Sequence, residues 1–209
     1  MAFEVDLHTH SYFSPDAQYS PADIFRKAKM QGMKGLVVTD HNNFAHFEEA
    51  TRAAYQEGLV TCQGIEITAS FRQSDIHVLG YAVQFDTGVF RRVFEKMASG
   101  YNERSRAIVE KVVLHGLAEL DFDILIQSSR TGYVSKVNIA YAIAKQRGIP
   151  ITEALALVER GGPAYVPYGA WAITPDEAVD LIVQAGGKPV LAHPGDLFLR
   201  RSSLPVSER

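Results

Sequence analysis

The run Asp6-Leu7-His8-Thr9-His10-Ser11, with Asp16 close behind and Thr39-Asp40-His41 further on, decides the reading of this chain. Residues Phe3 to His10 form a short apolar strand pattern that ends in polar groups. On a strand, positions i and i+2 share a face, so His8 and His10 can grip one ion together. Two convergent imidazoles at a strand end are the donor pattern of a metal site.

Outward from that run, strand and helix patterns alternate. Ser20-Pro21-Ala22-Asp23 reads as an N-cap with proline at the first helical position, opening a helix to about Gln31. Gly35 to Thr39 is a second buried strand, and a helix follows from about Phe44 to Gln56. Leu59 to Ala69 gives a third strand carrying Glu66, and Ile76 to Val83 a fourth carrying His77. Such alternation with short links predicts a parallel α/β sheet or barrel. Residues 87–187 are mostly helical, with helix-spaced apolar positions over Glu103–His115 and Ser135–Gln146. A strand returns at Lys188-Pro189-Val190-Leu191-Ala192-His193. The expected division is therefore 1–86 for the N-terminal part of a barrel, 87–187 for a helical insertion and 188–209 for a return strand and tail.

Bulk properties narrow the function classes. The chain has 209 residues, enough for one sizeable core. Its net charge of −3 gives no extended nucleic-acid surface, which needs a basic face. Cys62 is the single cysteine and is expected to be a buried, inert thiol. No basic leader or long apolar run opens the sequence, so a cytoplasmic setting without membrane insertion is expected. His46 and His115 fall in helical patterns and are expected to be solvated or packed. Trp171, Tyr165 and Tyr168 are expected to pack the insertion.

The remaining histidines and acids share a logic. His8, His10, Asp40, His41 and His193 lie at carboxyl ends of strands and Glu66 late in its strand, where α/β barrels build their active sites. His77 alone lies at the start of its strand. The stretches Asp6 to Ser11, Thr39-Asp40-His41, Gly64-Ile65-Glu66, His77 to Tyr81 and Ala192-His193-Pro194 resemble the polymerase and histidinol phosphatase family of metal-dependent phosphoesterases. The tracts Asn102 to Arg106, Pro163 to Pro167 and Gly186 to Leu191 resemble its branch with a helical insertion, which includes nucleoside 3′,5′-bisphosphate phosphatases and exoribonucleases.

That resemblance implies a distorted seven-stranded barrel holding up to three divalent ions. His8, His10 and Glu66 would hold the first, Glu66, His77 and His193 the second, Asp16 and His41 the third. Imidazole and carboxylate donors without thiolate suit manganese, iron(II) or zinc. A metal-bridging hydroxide would then attack phosphorus in a phosphomonoester of a small or nucleotide-like substrate. Asp40 and His193 are the candidate catalytic residues, Asp40 as orienter of a ligand histidine or as proton acceptor. Arg130, Lys136 and Asn138 are candidate substrate contacts; relatives often carry an Arg-Pro-His-Ile-Ala-like run where this chain has Lys136-Val137-Asn138-Ile139-Ala140. A phosphodiesterase or exonuclease acting on short oligonucleotides is the alternative, and a metal-binding module without catalysis a third.

One departure stands out. Family members usually close the site with a Gly-Ser-Asp-x-His-like motif that this chain does not contain. The barrel is expected to be C-terminally incomplete, lacking two ligands that Asp196 is not expected to replace, with another subunit or a further C-terminal segment covering the open strand edge.

Overall fold

The structure, a computed structural model, describes residues 4–85 and 88–195. Asp196 lies outside them. The strand β1 (Val5–Thr9) pairs in parallel with β2 (Gly35–Val38), and α1 (Pro21–Met30) connects them. Ser20 caps α1 by accepting from the Asp23 amide, with Pro21 preset for the first turn. Next, α2 (Phe47–Glu57) leads to β3 (Gly64–Phe71) and β4 (Ser74–Tyr81). Five helices follow: α3 (Gly88–Leu114), α4 (Phe122–Ser128), α5 (Lys136–Arg147), α6 (Ile151–Val158) and α7 (Pro175–Gln184). They precede β5 (Lys188–Leu191).

The sheet differs from the expected parallel barrel. Strands β3, β4 and β5 form an antiparallel sheet with β4 in the centre. The chain around β2 meets the chain around β3 at the isolated bridges Gly35–Val60, ahead of β3, and His41–Glu66, beyond the end of β2. Among the described residues there are five strands, in two sheets, and they do not close. The reversal lies in a two-residue turn: Phe71 pairs with Ser74, and Arg72 and Gln73 both have positive φ, 50° and 66°. Tight hairpins need this backbone, and it is usually supplied by Asn-Gly. Without those residues the sequence carried no hairpin signal.

Close approach of β2 to β3 depends on Gly64. A Cβ there would stand 2.4 Å from Val37 Cγ1 and 2.6 Å from the Val38 carbonyl oxygen. The glycine lets the end of β2 lie against the start of β3, which brings His41 beside Glu66.

Three apolar clusters hold the elements. Ile24, Phe25 and Ala28 of α1 pack with Leu36, Val38, Ala50 and Ala54. Ile65, Ile67 and Val78 pack under Phe90, Phe94 and Met97 of α3 and Leu181 and Ile182 of α7. Further along, Ile108 and Val112 of α3 form a separate core with Ile139, Ile143, Ala154 and Val158. The 27-residue α3 thus belongs to both the sheet and the helical region. Each buried aliphatic or aromatic side chain in these clusters contributes about 1.5–3 kcal/mol. No helix of the described residues is long and apolar enough to cross a membrane.

Candidate metal centre

Glu66 is the hub. It sits third in β3, fully buried, and five imidazoles converge on its carboxylate. His10 Nε2 is 2.8 Å from Oε2, His8 Nε2 3.1 Å and His41 Nε2 3.4 Å. His77 Nδ1 is 3.1 Å from Oε1 and His193 Nε2 3.2 Å. The antiparallel hairpin explains how His77 joins them: the first half of β4 runs beside the second half of β3, with His77 opposite Thr68.

The other donors hang from this hub. Both Asp16 carboxylate oxygens lie 3.0 Å from His10 Nδ1, and Asp16 Oδ2 is 3.6 Å from His41 Nε2. Thr68, two residues beyond Glu66 on the same face of β3, places Oγ1 3.3 Å from His41 Nδ1. That contact fixes the ring's orientation, the part a partner beyond the ligands plays in metal sites.

The electrostatics follow from the crowding. Burial pushes the Glu66 pKa up, but hydrogen bonds from His10, His77 and His8 hold it well below the usual carboxylate range. Asp16 behaves alike: burial opposes ionisation, and His10 and His41 favour it more strongly. For His10, burial alone would lower the pKa, yet Asp16 and Glu66 raise it to about 10 in the metal-free protein. Burial lowers His41, keeping it in the neutral form that binds metals.

The residues fit divalent ions on their own chemistry. His8 Nε2 faces His10 Nε2 at 3.1 Å, and His77 Nδ1 faces His193 Nε2 at 3.1 Å. Each such pair sets one ring nitrogen's lone pair against the other ring, beside a buried anion. The sets His8-His10-Glu66, His10-Asp16-His41 and His41-Glu66-His77 each bring three donor atoms within 4.8 Å of one another. Convergent imidazole nitrogens around buried carboxylate oxygens are a donor set suited to a divalent cation.

Other expected residues are placed differently. Asp40 is fully buried and orients no ligand histidine: Oδ1 accepts from the Ser11 amide and Oδ2 from Ser11 Oγ, both at 2.6 Å. His46, expected to be solvated or packed, is buried with Nδ1 3.1 Å from Asp40 Oδ2, outside hydrogen-bond geometry. Asp40 therefore pins the loop after β1 from which Asp16 projects. Asn138 Oδ1 accepts from the Ser135 amide and Oγ in a capping box on α5. The Arg130 guanidinium stacks 4.3 Å from the Tyr12 ring centroid. Cys62 is exposed, because it lies in the link between Val60 and β3 rather than in a strand. Tyr168 and Trp171 pack with Tyr101, as expected of the insertion.

A cavity of about 210 Å³ opens from Asp16, His41 and His77 to Lys136 of α5. Lys136 Nζ is 2.9 Å from Asp75 Oδ2 and 2.7 Å from Glu159 Oε1. Asp75 also accepts from Tyr168 Oη at 2.6 Å. Burial raises the Asp75 pKa, but Lys136 and this hydroxyl bring it down to about 2. Sequence reasoning did not single out Asp75; its spacing of two from His77 on one strand was the available signal.

A buried carboxylate ringed by imidazoles between two small sheets of an α/β fold defines the class: an α/β domain with a candidate metal centre. The chain belongs to the PHP domain family, whose profile matches residues 6–158. It is 26% identical over 200 residues, 95% of this chain, to a 3′,5′-nucleoside bisphosphate phosphatase from Chromobacterium violaceum, of which it covers 69%. It is 27% identical over 196 residues to the 5′-3′ exoribonuclease Rnm of Escherichia coli, covering 91% of this chain and 65% of the relative. Among solved structures, an amidohydrolase from Chromobacterium violaceum with bound sulfate superposes with a TM-score of 0.80 at 25% identity. That match covers 92% of this chain and 67% of the other. The chain thus spans about two thirds of the length of these relatives.

Proposed function

We propose that the chain is a metal-dependent phosphoesterase that releases phosphate from a phosphomonoester of a small or nucleotide-like substrate. The observation that carries this reading is the convergence of five imidazoles on buried Glu66. The family and the name of the Chromobacterium violaceum relative support it.

Up to three divalent ions, manganese, iron(II) or zinc, would be held by His8, His10 and Glu66, by Glu66, His77 and His193, and by Asp16 and His41. When bound, such ions lower the pKa of water towards about 7 and offset charge on phosphoryl oxygens. The chain's own residues prepare that chemistry. Glu66 gathers five rings on one carboxylate, Asp16 fixes His10, and Thr68 fixes His41. Asp40 secures the loop that carries Asp16. Tyr133 Oη donates to the His41 carbonyl at 3.1 Å, tying the helical region to the centre. The substrate enters by the cavity between His77 and Lys136.

The two sheets are read as the arc of an incomplete seven-stranded barrel. Val5, Leu7, Val190 and Leu191 support this, since they expose apolar side chains on the two outer strands.

Manganese-loaded protein should carry at least two ions per chain by elemental analysis and hydrolyse an aryl phosphate; His10→Ala should lose most of that rate. Equal rates in both proteins, or fewer than two ions, overturn the reading. The exoribonuclease names among the relatives favour a diesterase as the second reading. Release of nucleotides from dinucleotides faster than phosphate from monoesters would establish it.

A further inference from the structure

The far end of the cavity differs chemically from the imidazole end. Among the described residues lining it, Lys136 is the only lysine or arginine. Its ammonium is held by Asp75 at 2.9 Å and Glu159 at 2.7 Å, so the trio carries a net charge of −1. The start of α5 offers little in compensation. Ser135 Oγ accepts from the Val137 and Asn138 amides, groups that would otherwise be available to an anion. Arg104 stacks 4.4 Å from the Tyr168 ring centroid and donates Nε to the Val166 carbonyl; it does not line the cavity.

A phosphate carries charge near −2 at neutral pH. At this end it would meet a cation already matched by two carboxylates. A further negative charge beside these carboxylates is disfavoured. Hydroxyls and amines meet no such barrier, since carboxylate oxygens and tyrosine hydroxyls can pair with them.

We propose that this pocket selects substrates bearing a single phosphoryl group, its Asp75–Lys136–Glu159 end excluding a second phosphate and accepting a neutral or cationic tail. This rests on the phosphoesterase reading for the position of the first phosphate. It separates the chain from the bisphosphate specificity in the name of its Chromobacterium violaceum relative.

The test uses a matched pair, adenosine 5′-monophosphate and adenosine 3′,5′-bisphosphate, on the full chain loaded with manganese. Binding is measured by calorimetry and hydrolysis by phosphate release. The monophosphate should bind about tenfold more tightly, a preference of about 1.4 kcal/mol. Glu159→Gln removes one of the two carboxylates on Lys136 and should shrink that ratio to near one by strengthening bisphosphate binding. The Glu159 side chain is 41% exposed, so the exchange is compatible with the fold. A wild-type preference for the bisphosphate, a ratio unmoved by Glu159→Gln, or binding of neither ligand overturns the proposal. Selective binding without hydrolysis upholds the charge selection and overturns the phosphoesterase reading instead.

Discussion

The two ends of the cavity are charge clusters of opposite design. At one end a single buried carboxylate, Glu66, is surrounded by five imidazoles. At the other a single ammonium, Lys136, is flanked by two carboxylates. The first gathers atoms that could ligate a cation from outside. The second is closed within the protein. A cluster that binds is one that folding leaves unfinished, and residue types alone do not reveal which kind it is.

The largest break in this contrast is expected from Glu66→Gln. Loss of the carboxylate should lower manganese affinity by at least the roughly 10- to 100-fold that changes to groups supporting the ligands cause. Titration of the folded protein with manganese reads this directly. A variant that binds manganese like the wild type would show that Glu66 is not the hub.

Acid and base should then act through different groups in metal-free protein, acid reaching Glu66 and Asp16 as well as Asp75. His10 has its pKa raised from 6.5 to about 10, so its stabilisation is complete below pH 6.5 and is lost as pH rises through about 10. Asp75 is lowered from 3.8 to about 2, so its contribution is complete above pH 3.8 and is lost as pH falls towards 2. Thermal melts should show a fall in Tm on the order of several degrees on the alkaline limb. Manganese should abolish that limb, because ligand nitrogens must be unprotonated. An alkaline limb unaffected by manganese would assign it to other groups.

A third change bears on the helical side alone. At Gly100 in the middle of α3, a Cβ would lie 2.0 Å from the Trp171 indole. Gly100→Ala should cost about 1–3 kcal/mol by overpacking, seen in denaturant melts, while leaving manganese content unchanged. The smallest effect is expected from Asn138→Ala. Loss of the capping box on α5 should cost about 0.5–1 kcal/mol with phosphate-ester binding intact. Loss of binding at wild-type stability would return Asn138 to the substrate contacts.

Much of the centre was legible because strand ends announce themselves. His8 and His10 share a face by spacing alone, and His41 and Glu66 end or occupy apolar strands. The sheet's direction was not legible, since Arg72 and Gln73 hide a tight turn behind ordinary side chains. His77 therefore read as misplaced when it was on a strand running the other way. Asp40 read as chemistry because it neighbours His41, yet its partner Ser11 is 29 residues earlier in sequence. Pairings of that kind arise in tertiary structure and leave no local pattern.

The Arg72–Gln73 turn has one more consequence. Asp75 and His77 lie two positions apart on β4, so one strand carries both a carboxylate of the ammonium trio and an imidazole of the centre. Two residues of strand span roughly 7 Å. That interval is set by the covalent chain, and the Gln73 side chain, accepting from the Tyr168 amide at 2.6 Å, anchors it against the helices. One wall of the pocket therefore holds His77 and Asp75 at a gauge fixed by a single strand.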